Sequence, residues 1–158
     1  MADGNGRSSR HGKITGDFGE ALVLYLLSKH GYECAFIDHT GIDIIAAKPE
    51  RIRIGVSVKS RCRDAGNRSS SVNISHDNFA KAQQACDAFG CEPYFAIVVD
   101  AVDVIRVYIL SMEHLREIVR SGPRTSYWSM HPNEVQRYEQ DPGITRFEFR
   151  AGSLDWNL

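Results

Sequence analysis

Between residues 33 and 61 the chain offers three strand-forming runs in close succession: Glu33 to Ile37, Ile42 to Ala47 and Arg53 to Arg61. Pro49 and Glu50 mark a tight turn between the second and third, so those two must pair antiparallel. The third run alternates cleanly. Ile54, Val56 and Val58 share one face, and Ser57, Lys59 and Arg61 share the other. An apolar helix precedes these strands. Here that helix is expected over Phe18 to Lys29, with Thr15 and Asp17 as capping residues and Gly31 as its end.

Downstream, Cys62 to Ser71 reads as an exposed loop, and a second helix is expected from Ser75 to Phe89, closed by Gly90. Strands at Pro93 to Val99 and Val102 to Leu110 flank a short Asp100-Ala101 connection, which predicts a hairpin, and a helix follows over Met112 to Arg120. Beyond Gly122 the pattern predicts loop, a polar helical turn within Asn133 to Glu139 and a late strand from Ile144 to Arg150. Helix, three strands, helix and further strands imply a mixed α/β fold, a sheet flanked by helices.

A chain of 158 residues with 42% hydrophobic content can bury one core and is short for two. The first fourteen residues, with Arg7, Arg10 and Lys13, are expected to be a flexible basic arm, leaving 15–158 as a single domain. A net charge of -1 neither demands nor excludes a polyanionic partner, since a neutral protein can carry a local basic groove. Cys34, Cys62, Cys86 and Cys91 contain no C-x-x-C pair and are expected to be free thiols in a reducing cytoplasm. No run is apolar enough to span a membrane, no Gly-rich phosphate loop points to a small-molecule cofactor, and the expected location is cytoplasmic.

Three charged residues fall where charges are costly. Glu20 aligns with Val23, Leu24 and Leu27 on the most apolar helix, so its carboxylate needs a partner. Asp43 begins an otherwise apolar strand. With the turn centred on Glu50, the register sets Asp43 across from Ser57, and Asp43, Ser57 and Lys59 converge on one side. Taken alone, these residues equally suit a turn aspartate and an edge-strand lysine that discourages aggregation.

Together, Gly16-Asp-Phe-Gly-Glu20 on a helix, Gly41-Ile-Asp43-Ile-Ile-Ala on a strand and Val56-Ser-Val-Lys59-Ser-Arg61 on the next resemble the PD-(D/E)XK nuclease superfamily, especially its resolvase-like and restriction-endonuclease-like branches. The resemblance covers roughly residues 15 to 100 and implies a restriction-endonuclease-like core in the order αβββαβ with C-terminal additions. By the same resemblance, Asp43 is similar to the central metal-binding aspartate, Lys59 to the catalytic lysine and Glu20 to the helix glutamate near the metal. Magnesium, with manganese as substitute, is the implied cofactor and DNA the implied partner; relatives often pair as homodimers, since cutting two strands wants two sites. One position departs from the pattern. Ser57 stands where the superfamily most often has Glu or Gln, which keeps an oxygen and removes a charge. A branch of restriction enzymes with Ser-x-Lys brings the missing acid from the following helix, where Asp77 is the candidate and Glu20 the other.

Arg61, Arg63 and Arg68 follow the lysine and offer donors to phosphate oxygens. Gln83 and Gln84 lie on the second helix, and His39 is near enough to Asp43 to sit at a site rim. Two functions follow as expectations. The first is a metal-dependent DNA endonuclease hydrolysing phosphodiester bonds in restriction, repair or junction processing. The alternative is a nuclease-fold module, impaired by Ser57, that serves as a DNA-binding or protein-interaction scaffold.

Overall fold

In the computed structural model, residues 10–63 and 70–150 are described. Helix α1 (Arg10–Lys29) is followed by strands β1 (Glu33–His39), β2 (Ile42–Ala47), β3 (Ile54–Cys62) and β4 (Ser71–Ser75), then helix α2 (His76–Phe89). The order continues with β5 (Glu92–Asp100), β6 (Val104–Ser111), α3 (Met112–Ile118), β7 (Arg120–Ser121), β8 (Thr125–Ser129), α4 (Pro132–Gln140) and β9 (Thr145–Arg150). Six strands form the main sheet in the order β1-β2-β3-β5-β6-β9, and β4-β8-β7 form a second, smaller sheet. Within the main sheet only β3 and β5 run parallel. That pairing is possible because α2 lies between them in sequence and supplies the crossover.

The pleat sorts side chains between two helical layers. On one face Val23, Leu26 and Leu27 of α1 pack on Ile44, Ala46, Val56, Val58, Ala96 and Val98. On the other, Phe79, Ala82, Ala85 and Cys86 of α2 pack with Ile42, Phe95, Ile97 and Val99. Each fully buried Leu or Val stabilises the fold by about 1.5–3 kcal/mol, so α1 is held chiefly by this stripe. Among the described residues no helix is long and apolar enough to cross a membrane.

Several boundaries differ from those the pattern predicts. Helix α1 begins at Arg10, so residues 10–14 of the expected arm are helical. Lys13 pairs with Asp17 one turn on at 2.6 Å, and Thr15 Oγ1 donates to the His11 carbonyl at 2.9 Å, so Thr15 and Asp17 lie inside the helix and do not cap it. Such i,i+4 pairs carry a helix through a polar stretch that periodicity leaves unassigned. Strand β4 falls at the end of the expected loop, and β8 falls in the tail beyond Gly122; they pair with each other from Ser71↔Ser129 to Ser75↔Thr125. Two buried residues, Val72 and Ile74, make a pattern too short to read, and the partner strand is fifty residues away in sequence. Behind β8, Trp128 stacks on Tyr138 of α4 at 3.9 Å between ring centroids, extending the core into the C-terminal region. The Asp100-Ala101 hairpin joins β5 to β6, with Val102 at φ 75°. All four cysteines are free thiols.

Candidate active site

The expected register of β2 against β3 is the one observed. Paired residues run from Ala46↔Ile54 to Ile44↔Val56, which places Asp43 and Ser57 one step past the last pair. There the strands part. Ile44 faces the α1 layer while Ile42 faces the α2 layer, so β2 breaks its alternation across Asp43. Asp43 Oδ2 instead accepts the Val58 backbone N–H at 2.7 Å, so the carboxylate replaces a strand as partner to the open edge of β3. In an extended strand a residue's N–H and C=O project to the same edge, so the Val58 carbonyl lies on the edge that Asp43 occupies.

Lys59 is the next residue along. It pairs with Ile97 of β5, whose side chain faces α2, and is half-buried. Glu20 arrives from α1. Gly19 makes this approach possible, since a Cβ there would run into the Ser60 side chain, and the helix backbone rests directly on β3. A second glycine does the same on the other side. Gly41, at φ +107°, holds its backbone against the Lys81 carbonyl of α2 and leaves no room for a Cβ. Each acidic residue thus follows closely on a glycine that permits tight packing: Gly19 before Glu20, Gly41 before Asp43.

The three charges feel one another. Burial pushes the Asp43 carboxyl above its ordinary range, opposed by the Val58 N–H and by the charge of Lys59. Burial also raises Glu20, and the neighbouring charges of Asp43 and then Asp17 raise it further, against the pull of Lys13 and Lys59. For Lys59 burial lowers the ammonium pKa, Asp43 and Glu20 act to raise it, and Lys81 acts to lower it. No hydrogen bond or ion pair to another described residue engages Glu20 or Lys59. Two half-buried acids and a half-buried ammonium, each shifted toward its neutral form, therefore share one corner of the sheet.

The other candidate residues are distributed as follows. Ser57 is only 2% exposed and sits beside Phe95 of β5. Asp77 is exposed in the first turn of α2, where a carboxylate suits the positive end of the helix. Arg61 is exposed near the end of β3, and Arg63 donates from Nη1 to the Met130 carbonyl at 3.5 Å. Arg68, like Arg7, lies outside the described residues. Gln83 and Gln84 are exposed on α2, Gln83 donating to Asp87 at 2.8 Å. His39 is exposed and meets the Phe89 ring edge-on at 5.2 Å. Lys81 is the residue that sequence reasoning passes over. Its one advance signal is a glycine at position 41 that fits only if another backbone lies against it.

An αβββαβ core with a mixed sheet, α1 on one face and α2 on the other defines the restriction-endonuclease-like class of fold. Among solved structures, the chain is similar to Hjc, a Holliday junction resolvase from the archaeal hyperthermophile Archaeoglobus fulgidus. That similarity has a TM-score of 0.55 at 17% identity and covers 73% of this chain and 84% of that one. No family model matches the sequence, and no curated protein does. At this identity the likeness establishes the shared fold.

Proposed function

We propose that this chain is a metal-dependent endonuclease that hydrolyses phosphodiester bonds in DNA. The observation that carries the reading is Asp43 Oδ2 fixed at 2.7 Å on the Val58 N–H where β2 and β3 part, with Lys59 adjoining and Glu20 facing them. The donor chemistry fits a hard divalent cation. Asp43 has one oxygen anchored, and Glu20 makes no other bond among the described residues. A nearby cation would offset the burial that raises both acids. Among the described residues no three His, Cys, Asp or Glu side chains form a metal-binding group. The proposed ion is magnesium because it takes as few as one or two carboxylates, retains waters and shares substrate phosphate oxygens.

Asp43 and Glu20 would hold the ion, with the Val58 carbonyl on the same strand edge. When bound, the ion would supply charge neutralisation at the scissile phosphate and a water of lowered pKa. The chain's own part is orientation. The Val58 N–H fixes the Asp43 carboxylate, the Gly19 contact sets Glu20 against the sheet, and the Lys59 ammonium reaches toward the phosphate or the attacking water to stabilise developing negative charge. Cutting two strands wants two sites, and a homodimer is proposed here on that ground.

Cleavage of supercoiled, linear and branched DNA in magnesium or manganese tests the reading. Activity is expected for the wild type and not for Asp43→Ala or Lys59→Ala; equal cleavage by all three would mark a contaminant and end it. Ser57 supports a second reading. A buried hydroxyl in place of a carboxylate leaves two acids at the site, which suits a nuclease fold retained as a binding scaffold. Calorimetry with manganese separates the two: heat of binding that vanishes in Asp43→Ala favours the enzyme, and no binding at millimolar metal favours the scaffold.

A further inference from the structure

The small sheet and α4 enclose a groove of about 580 Å³, apart from the Asp43 site, lined among others by Arg120, Tyr127, Ser129, His131, Asn133 and Arg137. Its chemistry is unlike that of an apolar pocket. Across the outer face of the sheet, Asn73 pairs with Tyr127 and Ser71 with Ser129, while Ser126 and Trp128 turn inward. The Arg120 guanidinium lies 5.2 Å from the centre of the Tyr127 ring. Arg137 reaches the Ile118 carbonyl at 3.2 Å and pairs with Glu134 at 3.2 Å, so the groove keeps a positive balance from Arg120. At the start of α4, His131 Nδ1 accepts the Asn133 N–H at 3.4 Å, so the attraction for an anion comes from the guanidinium side chains and not from that helix end.

We infer that this groove binds a single-stranded stretch of nucleic acid that continues from the duplex held at the Asp43 site. Arg120 would meet a phosphate, Asn133 and Ser129 the backbone, and Tyr127 a base. Guanidinium groups, small hydroxyl and amide side chains and an aromatic ring on a sheet face are the set that holds single strands without reading sequence. The inference rests on the nuclease reading, and the path between the two sites supports it. From Lys59 the chain runs along β3 through Arg61 to Arg63 just past its end, where Arg63 is bonded to the Met130 carbonyl, and the Met130 N–H is bonded to the Ser70 carbonyl at the groove's rim at 2.7 Å. The Lys59-to-Arg63 stretch alone, four residues of extended chain, spans about 13 Å, so an occupant of both sites must be several nucleotides long. An acidic peptide is the weaker occupant, because its carboxylates would leave the Tyr127 ring with nothing to stack on.

The test uses the full chain carrying Asp43→Asn, so that binding is read without cleavage. Fluorescence anisotropy would compare a blunt duplex with the same duplex bearing a ten-nucleotide single-stranded tail. The tailed form should bind about tenfold more tightly, the yield of one stacked base. Tyr127→Leu should abolish that advantage and Tyr127→Phe should keep it, a contrast that a merely unfolded variant cannot give. Arg120→Gln should reduce the slope of log affinity against log salt by about 0.7 for the tailed form. Equal binding of tailed and blunt DNA, an unaltered advantage in Tyr127→Leu, or equal competition by polyglutamate would overturn the inference. Wild-type cleavage with an unaltered Tyr127→Leu variant would sink this inference alone. Tail-dependent binding without metal-dependent cleavage would sink only the nuclease reading.

Discussion

Replacing Asp43 separates two effects that coincide in the wild type. Its carboxylate accepts the Val58 N–H at 2.7 Å, yet burial raises its pKa. A folded pKa above the unfolded value means that the associated stability is complete below the unfolded value of about 3.9 and is lost as pH rises through the folded one. At neutral pH without metal, the charge on Asp43 is therefore a net cost to the fold. Asp43→Asn keeps an oxygen for Val58 and removes the charge, so it should raise stability by about 0.5–2 kcal/mol, the usual return for relieving a functional site. Asp43→Ala removes the charge and also strands the Val58 N–H, at about 1–3 kcal/mol. Asparagine should thus exceed alanine by about that amount, or roughly 3–9 °C at about 3 °C per kcal/mol for a chain of this size. Thermal unfolding in EDTA at pH 7 and pH 4 reads all three proteins, and the asparagine advantage over wild type should shrink at the lower pH. Magnesium at a hundred times its Kd should stabilise only the wild type, by about 2.7 kcal/mol. An asparagine variant less stable than wild type at pH 7, or level with alanine, would refute the reasoning.

Gly41→Ala should cost about 1–3 kcal/mol from its φ of +107° alone, with more from the Lys81 carbonyl, and should reduce cleavage with Asp43 and Lys59 intact; a neutral effect in urea titration and nuclease assay would remove Gly41 from the site's framework. His114 bridges α3 to Asp141 at 2.8 Å and to Glu117 at 3.4 Å; bonding to these acids raises its pKa, while Asp141 is held below the carboxylate range by the Gly143 N–H and by His114. The His114 contribution is complete below its unfolded value of about 6.5 and is lost as pH rises through the higher folded value, so His114→Ala should cost more at pH 6 than at pH 9 in parallel denaturant melts. The alkaline limb of any cleavage profile should begin below the ordinary lysine value of 10.5, because burial lowers Lys59, and Lys81→Gln should shift that limb upward. A limb that Lys81→Gln leaves unmoved would show that Lys81 does not act on Lys59.

What the sequence disclosed and what it withheld divide along a physical line. Alternation over Ile54, Val56 and Val58 and the turn at Glu50 were enough to set the β2–β3 register, because a hydrophobic period of two and a short loop leave one consistent pairing. Glu20 stood out as a charge on an apolar helix, and a charge in that position needs an explanation. The pairing of β4 with β8 was hidden because fifty residues separate the partners and each strand is short. Lys81 was hidden because an exposed helical lysine carries no mark of what lies across from it. The site itself is a place where regularity stops. β2 leaves β3 at Ile44, and one side chain takes over the hydrogen bond that another backbone would have made. Periodicity reports where strands pair and says nothing about where they separate, so it left the gap beside Asp43 unseen. An open strand edge there costs stability and draws other chains, and Asp43 closes one bond of it with a group that can also hold a cation. On the proposed reading stability and chemistry meet in one carboxylate, which is why the asparagine variant should be the more stable of the two.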